Sequence, residues 1–554
     1  MTPDLPSRNG GQILVEALHR NGVGTVFCVP GESFLPVLDA LHGHPTLRTV
    51  VTRHEGAASN MAEATGKLTG RPGVAFVTRG PGATHAANGV HTAYQDSTPM
   101  ILFVGQIDGG FRDREAFQEV DYRRMFGALA KWAVEIDRIE RIPEIVSRAF
   151  SLAMSGRRGP VVVALPEEVL FGTAKVADAP AVRVGSSAPT AEAVQEIAER
   201  LAAAQRPLVV VGGSGWTDAA CADLARFAHA HTLPVAASFR RQDLMDHLDP
   251  HYVGQLGLGV SAALAARAAQ ADLLLVLGSR LSEITTSGYT LPVPPVAAQT
   301  LIHVHPDPDE LGRVYQAQLP VPASLPPTLA ALAALAPPAA PAWRDWTRAA
   351  RADHEAHATP PAPHAELRGV DLAQVVAHLA RVLPEDAIVA NGAGNYTVWV
   401  HRFHRYRRRG TQLAPTNGAM GYGLPAAIAA RLLHPQRTVV CFAGDGCFMM
   451  YPQELATAQQ AGAAVIVLVV NNGMLGTIRM HQQREYPSRV SATDLVNPDF
   501  VAMAQACGAH AECVERTADF PAAFERALGC GRAALIELRT DPRQVTPQAR
   551  LPAG

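Results

Sequence analysis

Between Gly11 and about Ala174 the chain alternates between two hydrophobic patterns. Stretches with helical spacing (Ile13–Asn21, Pro36–His42, Ala57–Thr69) trade places with short apolar or β-branched runs. Those runs are Val26–Val29, Leu47–Thr52, Val74–Thr78, Met100–Val104 and Val161–Leu165. Helical spacing predicts a helix with one buried face, and a short unbroken apolar run predicts a strand covered on both sides. Their alternation predicts a doubly wound parallel sheet. A second unit of this kind opens with Leu208-Val-Val-Val-Gly-Gly-Ser-Gly215 and continues through Leu273–Gly278 and Leu301–His305. A third runs from about Gly369 to Thr540. The fold class is therefore α/β, with three doubly wound parallel-sheet domains over residues 1–178, 187–325 and 367–554. The Ala- and Pro-rich stretch 326–366 reads as an interdomain linker with short helices, and Pro542–Gly554 as a loose tail.

The third unit holds the most informative stretch. Two apolar runs, Thr438–Ala443 and Val465–Val470, flank a segment from Pro452 to Gly462 that suits a helix. A strand, a crossover helix and a parallel strand bring both strand ends to one carboxyl edge, where open α/β sheets bind ligands. Gly444-Asp445-Gly446 ends the first strand and Asn471-Asn472 the second. Asp445 and Asn472 would offer one charged and one neutral oxygen, a set that suits Mg²⁺. Gly444 and Gly446 would let the backbone turn sharply towards a phosphate favoured by the next helix N-terminus. A lone Gly-Asp-Gly would mark only an ordinary turn of a buried βαβ unit.

Bulk properties narrow the classes. A chain of 554 residues exceeds a single core. A net charge of −2 gives no basic excess for nucleic acid or an anionic membrane. The longest apolar runs, such as Ala463–Val470, are strand-sized and cannot span a bilayer. The polar segment Met1–Gly10 lacks the layout of a secretion signal. The seven scattered cysteines contain no Cys-x-x-Cys pair and read as reduced, mostly buried thiols of a cytoplasmic protein.

The spacing Gly-Asp-Gly, 24 residues, Asn-Asn resembles the cofactor motif of thiamine-diphosphate enzymes, and other blocks extend the likeness. Arg53-His54-Glu55, which alone would read as a carboxylate at a helix start, resembles their Arg-His-Glu. That resemblance implies that Glu55 hydrogen-bonds N1′ of the aminopyrimidine and thereby activates the cofactor, with His54 in a packing role. Arg79-Gly-Pro81-Gly-Ala-Thr-His85 matches the acetolactate-synthase branch, save for His85 in place of Asn. Met100–Gln106 and Ala116-Phe117-Gln118-Glu119 match it too, and Lys131 falls where the branch has an active-site lysine. Asn391-Gly-Ala-Gly394-Asn395-Tyr396 resembles its diphosphate loop, with Tyr396 in place of His but still offering a donor. In Thr416–Pro425, Gly418 would present a carbonyl to the cofactor and Met420 would wedge its two rings together. The likeness runs from residue 11 to about 540 and implies pyrimidine-binding, central and diphosphate-binding domains. It also implies an obligate homodimer or larger homo-oligomer, with Glu55 and the Asp445 site of one cofactor supplied by different subunits. It assigns Pro81, Gly394, Asn395, Tyr396, Gly418, Met420, Gly444, Asp445, Gly446, Asn472 and Met474 to the cofactor. Asp445, Asn472 and the Met474 carbonyl would hold Mg²⁺. Gln106 and Glu32 join Glu55 as catalytic candidates, and Phe117, Gln118, Lys131, Arg479 and His481 as substrate candidates.

Three departures bear on the substrate. Glu32-Ser33 stands where acetolactate synthases carry Gly-Ala; an acid there can relay protons but should repel the carboxylate of a second 2-oxo acid. His481 replaces a Trp that shapes acceptor choice. Gln255–Val260 lacks the His of flavin-binding relatives, although Arg157 and Arg280 match flavin-site arginines, so FAD is left open, with the missing His counting against it. The function expected is carboligation of 2-oxo acids with decarboxylation, pyruvate as donor, giving a 2-hydroxyketone or acetohydroxy acid. The alternatives are a decarboxylase or aldehyde lyase on the same scaffold, and a non-catalytic nucleotide-binding protein using Gly212–Gly215, a cluster that also fits a tight strand-to-helix turn. A regulatory subunit, common among acetolactate synthases, leaves no mark in these residues.

Overall fold

The computed structural model describes residues 5–363 and 367–552. Residues 1–4 of the polar start, 364–366 of the expected linker and 553–554 of the tail lie outside the described residues.

Three six-stranded sheets, parallel at every pairing, organise the chain. The first contains β1 (Thr25–Cys28), β2 (Arg48–Val51), β3 (Gly73–Val77), β4 (Met100–Gln106), β5 (Trp132–Glu135) and β6 (Pro160–Pro166), in the order β2-β1-β3-β4-β6-β5. The second contains β7 (Pro207–Val211), β8 (Val235–Ala237), β9 (Tyr252–Gln255), β10 (Leu273–Leu277), β11 (Thr300–His305) and β12 (Leu319–Pro322), in the order β9-β8-β7-β10-β11-β12. The third contains β13 (Ile388–Asn391), β14 (Gln412–Leu413), β15 (Val439–Gly444), β16 (Ile466–Asn471), β17 (His510–Val514) and β18 (Ala534–Arg539), in the order β14-β13-β15-β16-β18-β17. The first and third sheets therefore share one topology, and the central sheet has the dinucleotide-fold order. Each reverses its winding at one point: between β1 and β3, between β7 and β10, and between β13 and β15. Ligands bind at such points, outside the carboxyl ends of the strands.

Helix α1 (Glu55–Thr69) is buried on nearly every face although only moderately apolar. Its Gly, Ala and Ser residues let neighbours approach closely: a Cβ on Gly89 of α2 (Pro81–Asp96) would lie 2.2 Å from Ser59 Oγ. On its other side α1 meets α3 (Gly423–Leu433), so Met61, Leu68 and Val90 share one core with Leu424, Ala427 and Val467. The first and third domains are thus fused through these helices. Within that core Glu63 is fully buried, held by Lys67 at 3.2 Å, Thr98 at 2.7 Å and the Tyr422 hydroxyl at 2.5 Å.

Two expectations are corrected. The stretch 326–366 carries helices, as its reading allowed, at Leu325–Ala333 and Arg344–Ala358, but Leu329, Leu332 and Trp343 pack inside the central core instead of merely spanning two domains. Trp343 Nε1 donates to His231 O at 2.9 Å, which fixes the second helix to that domain. The described part of the tail is not loose: Val545 is buried, Gln544 pairs with Arg550, and Thr546 and Gln548 line a large cleft. The thiols also differ from the reading, since only Cys28, Cys441 and Cys447 are buried.

Candidate active site

In the third domain β15 and β16 place Asp445 and Asn472 at neighbouring strand ends, as the spacing predicts. Asp445 Oδ1 accepts from Gly446 N at 2.8 Å, and Oδ2 from Gly473 N at 2.9 Å and Asn497 Nδ2 at 2.8 Å. Burial pushes its carboxyl above the ordinary 3.8 despite these bonds. Asn471 turns back to Glu537 and Asn497, which leaves Asn472 as the amide on the loop. The Asp445 carboxylate, the Asn472 side-chain oxygen, which takes Met474 N–H at 3.2 Å, and the Met474 carbonyl, which takes Gly476 N–H at 3.0 Å, would together make an all-oxygen donor set of the kind that fits a hard divalent cation.

The glycine argument changes in detail. Gly444 has an extended φ of −69°, so what it supplies is space: a Cβ there would lie 3.1 Å from the Tyr396 ring, and one on Gly446 2.7 Å from Leu475. Gly418, by contrast, needs its positive φ of 72° and has open space around it. The helix after Gly444 is a single turn, Asp445–Phe448, so its dipole adds little for a phosphate. Tyr396 does not offer its hydroxyl outward. It is buried, takes Gly392 N–H at 3.1 Å and donates to Cys447 Sγ at 3.3 Å, which ties the Gly392 turn to the Asp445 turn. Asn395 is fastened to Thr477 at 3.0 Å, and Met420 lies beside Gly446.

In the first domain the carboxyl edge gathers Glu32, Glu55, Pro81 and Gln106. His54 caps α1 by accepting Gly56 N–H on Nδ1 at 2.9 Å, which aims Glu55 out of the first turn. Glu55 Oε2 bonds His85 Nδ1 at 2.8 Å, and Oε1 faces Gly82 at the head of α2, next to Pro81. The turn before Glu55 is braced by the third domain of the same chain. Glu454, first residue of α4 (Glu454–Ala461), accepts Arg53 N–H at 3.0 Å, and the Tyr451 hydroxyl sits where a Cβ on Gly56 would fall. Burial raises Glu454 to about 7.

Several substrate candidates are spent elsewhere. Lys131 precedes β5 and so lies at the amino edge of the sheet, opposite Gln106; its Nζ donates to Leu152 and Ser155 carbonyls at 2.7 Å, capping a helix end. Its ammonium is thus bonded away from the edge where Glu32, Glu55 and Gln106 gather. Gln106 turns its amide nitrogen to Val120 O at 2.9 Å and Glu135 at 3.3 Å. Arg479 is held by Thr493 at 2.7 Å and by Asp494. Phe117 is exposed, while Gln118 packs on Gly80. His481 lines the large cleft with Gly394, Asn395 and Gly418.

That cleft, about 880 Å³, opens between all three domains and reaches the central reversal point at Gly213 and Arg280. Arg157 is occupied by Glu310 at 2.9 Å, Ser97 at 3.1 Å and Tyr94 O at 2.7 Å, and Arg280 by Gln95 O at 2.7 Å. Gly212 and Gly213 are packing glycines: added Cβ atoms would lie 2.0 Å from Ser238 Oγ and Gly278 O. Sequence reading missed Asn497, Tyr451, Glu454 and Glu167. Asn497-Pro498 signals a turn, but nothing local shows that it returns to Asp445.

Comparison with known proteins agrees with this geometry. The chain matches the N-terminal TPP binding domain of thiamine pyrophosphate enzymes over residues 8–125, their central domain over 194–332 and their C-terminal TPP binding domain over 392–538. It is 31% identical to the acetolactate synthase isozyme 2 large subunit of Escherichia coli (strain K12), covering 96% of each chain. It is 33% identical to an acetolactate synthase large subunit of Parasynechococcus marenigrum (strain WH8102), over 90% of this chain and 82% of that one. The catalytic subunit of the mitochondrial enzyme of Saccharomyces cerevisiae is 28% identical, over 96% and 81%. Matched domains in this order, with relatives so similar along the whole length, mean that the chain belongs to the thiamine pyrophosphate enzymes, within the acetolactate synthase large-subunit family.

Proposed function

We propose that the protein is a thiamine-diphosphate- and Mg²⁺-dependent carboligase that decarboxylates a 2-oxo acid, pyruvate in the first instance, and joins the remaining acyl unit to a second carbonyl compound. The observation that carries this is the presence in one chain of Glu55 at the head of α1 and of the buried Asp445 carboxylate beside Asn472, each inside its matched cofactor domain. Bound thiamine diphosphate supplies the electron sink that lets carbon dioxide leave and the new carbon–carbon bond form.

The chain's own residues do the rest. Asp445, Asn472 and the Met474 carbonyl would hold the cation and, through it, the diphosphate, while Gly394, Asn395 and Gly418 would shape the loops around it. Glu55, steered by His54 and His85, would exchange a proton with the aminopyrimidine ring. Glu32 would face the reacting carbon. Glu55 and Asp445 would serve one cofactor from different subunits of a homodimer. The proposed chemistry needs no FAD; Arg157 is held by Glu310 at the joint between the first and central domains, while Arg280, bonded to Gln95 O, borders the large cleft. A cytoplasmic setting belongs to the same reading; no described helix is long and apolar enough to cross a membrane.

Glu32 favours one second reading, a decarboxylase or lyase that hands a proton to the product instead of forming a bond. Incubation with pyruvate, thiamine diphosphate and Mg²⁺ separates the two. A hydroxyketone or acetolactate is the expected product; free acetaldehyde alone would support the second reading, and no carbon dioxide from any 2-oxo acid would reject both.

A further inference from the structure

We propose that His229, Asp249 and His251 of the central domain form a binding site for one borderline divalent metal ion, best suited to Zn²⁺, at the outer edge of the second sheet. None of the three lines the large cleft between the domains or takes part in the proposed chemistry.

The chain reaches this point from two directions. His229 sits in the last turn of the helix Asp218–His231, which runs between β7 and β8. Asp249-Pro250-His251 makes the turn that leads into β9, the edge strand of the sheet. His229 Nε2 lies 2.7 Å from Asp249 Oδ2, and His251 Nδ1 lies 3.2 Å from Asp249 Oδ1. The two imidazole rings meet with centroids 4.4 Å apart, and one ligand atom from each residue falls within 4.8 Å of the others. The turn itself is stiff: His251 N–H donates to Asp249 Oδ1 at 2.8 Å, and the proline ring fixes the backbone between them.

That spacing fits an ion. Zinc bonds of about 2.0–2.2 Å to nitrogen and oxygen place the ligands of a tetrahedral site roughly 3.3 Å apart. From the observed 2.7 and 3.2 Å, the side chains would open by roughly 0.6 Å or less to admit it. A neutral imidazole can carry its proton on the far ring nitrogen, which frees the lone pair of the near one. The Asp249 and His251 side chains are mostly buried while that of His229 is half exposed. Two ligands are therefore held by surrounding protein, and the open side leaves a fourth position for water. A cleft of about 550 Å³ bordered by Asp249, Cys221 and Arg407 gives the ion a way in.

Ligand chemistry selects the metal. Two imidazoles and one carboxylate suit Zn²⁺ or a similar transition ion, whereas Mg²⁺ prefers an all-oxygen set such as the one at Asp445. A neighbouring cation, Arg351, gives its donors to the His247 and Tyr252 carbonyls and to Glu355, which leaves the Asp249 carboxylate to the histidines. The other histidine–carboxylate group of this kind among the described residues, His54, Glu55 and His85, belongs to the cofactor edge. An ion at His229 would fasten β9, whose pairing with β8 changes register between Val235 and Ala237, to the helix that precedes β8.

The test uses chelator-stripped protein reloaded with thiamine diphosphate and excess Mg²⁺, so that the Glu55 and Asp445 sites are filled, and then titrated with Zn²⁺ in a calorimeter. One tight equivalent of Zn²⁺ per chain is expected. His229→Ala, at a half-exposed helix position, and His251→Phe, which keeps a ring but no nitrogen, should each weaken it at least about a hundredfold. That is the upper end of what losing only a hydrogen-bond partner of a metal ligand costs. Zn²⁺ should also raise the Tm of the parent by several degrees and leave that of His229→Ala unchanged, because an ion bound only by the folded state stabilises it. No tight equivalent in the parent, or one that survives both substitutions, would overturn the proposal.

Discussion

At the residue scale the account turns on carboxylates with different duties. Glu55 has its two oxygens divided between His85 and the side facing Gly82. Glu55→Gln should keep the cap and the packing of α1 while removing the proton exchange. Turnover should fall at least about a hundredfold with cofactor affinity changed little; near-normal turnover would remove Glu55 from the mechanism. Glu454 is of another kind, fully buried, bonded to Arg53 N and Thr457 and titrating at about 7 instead of the ordinary 4.5. Because the folded protein holds this proton up to a higher pH than the unfolded chain does, Glu454 costs stability progressively as pH rises from about 4.5 to about 7. The cost above that window is on the order of 3 kcal/mol. Glu454→Gln, which cannot ionise, should gain stability relative to the parent between pH 5 and pH 8 by about that amount in denaturant titrations. Parallel pH profiles for the two proteins would show that Glu454 does not titrate there. The Arg53-His54-Glu55 block marks Glu55 in the sequence, but nothing there marks the burial of Glu454: both stand at helix starts and only the third dimension sets their solvation.

At the element scale most strands were legible, because buried parallel strands are short apolar runs and nine of those named fall within a residue or two of the observed spans. The helices of small residues were harder. The head of α2, Pro81-Gly-Ala-Thr, is the first turn of a helix, with Pro81 where its missing N–H costs nothing. The far end of α2 shows what sequence hides. Asp96 accepts Thr416 N–H at 2.7 Å and pairs with Lys67, tying α2 to the loop that presents Gly418 and Met420. The link joins residues 320 positions apart. Asp96→Ala leaves the buried Lys67 ammonium with Glu63 as its one carboxylate beside the Ala414 carbonyl, and removes the bond to Thr416 N. It should cost about 3 kcal/mol in chemical unfolding and weaken thiamine diphosphate binding at least severalfold. An unchanged cofactor affinity would mean that the loop is held by other contacts.

At the scale of the whole molecule the domain order was readable because each sheet carries its own apolar pattern and the cofactor blocks fall in series. The misread linker shows the limit: Ala and Pro lower the apparent order of 326–366, yet Leu329 and Trp343 bury themselves in the central core. Lys131 shows another, since spacing alone does not tell that it precedes its strand and donates to the Leu152 carbonyl. The shared topology of the first and third sheets suits a twofold assembly in which the carboxyl edge of one faces that of the other, and the brace from Tyr451 and Glu454 to the Glu55 turn joins two such edges within a chain. The central claim is that each cofactor is gripped by Glu55 of one subunit and Asp445 of its neighbour. Subunit mixing tests it most directly: Glu55→Gln and Asp445→Asn, each inactive alone, are dissociated, combined in equal amounts and reassociated. Heterodimers pool both substitutions in one site and leave the other intact, so about a quarter of parental turnover should return. Heterodimers confirmed by native mass measurement but still inactive would contradict the account.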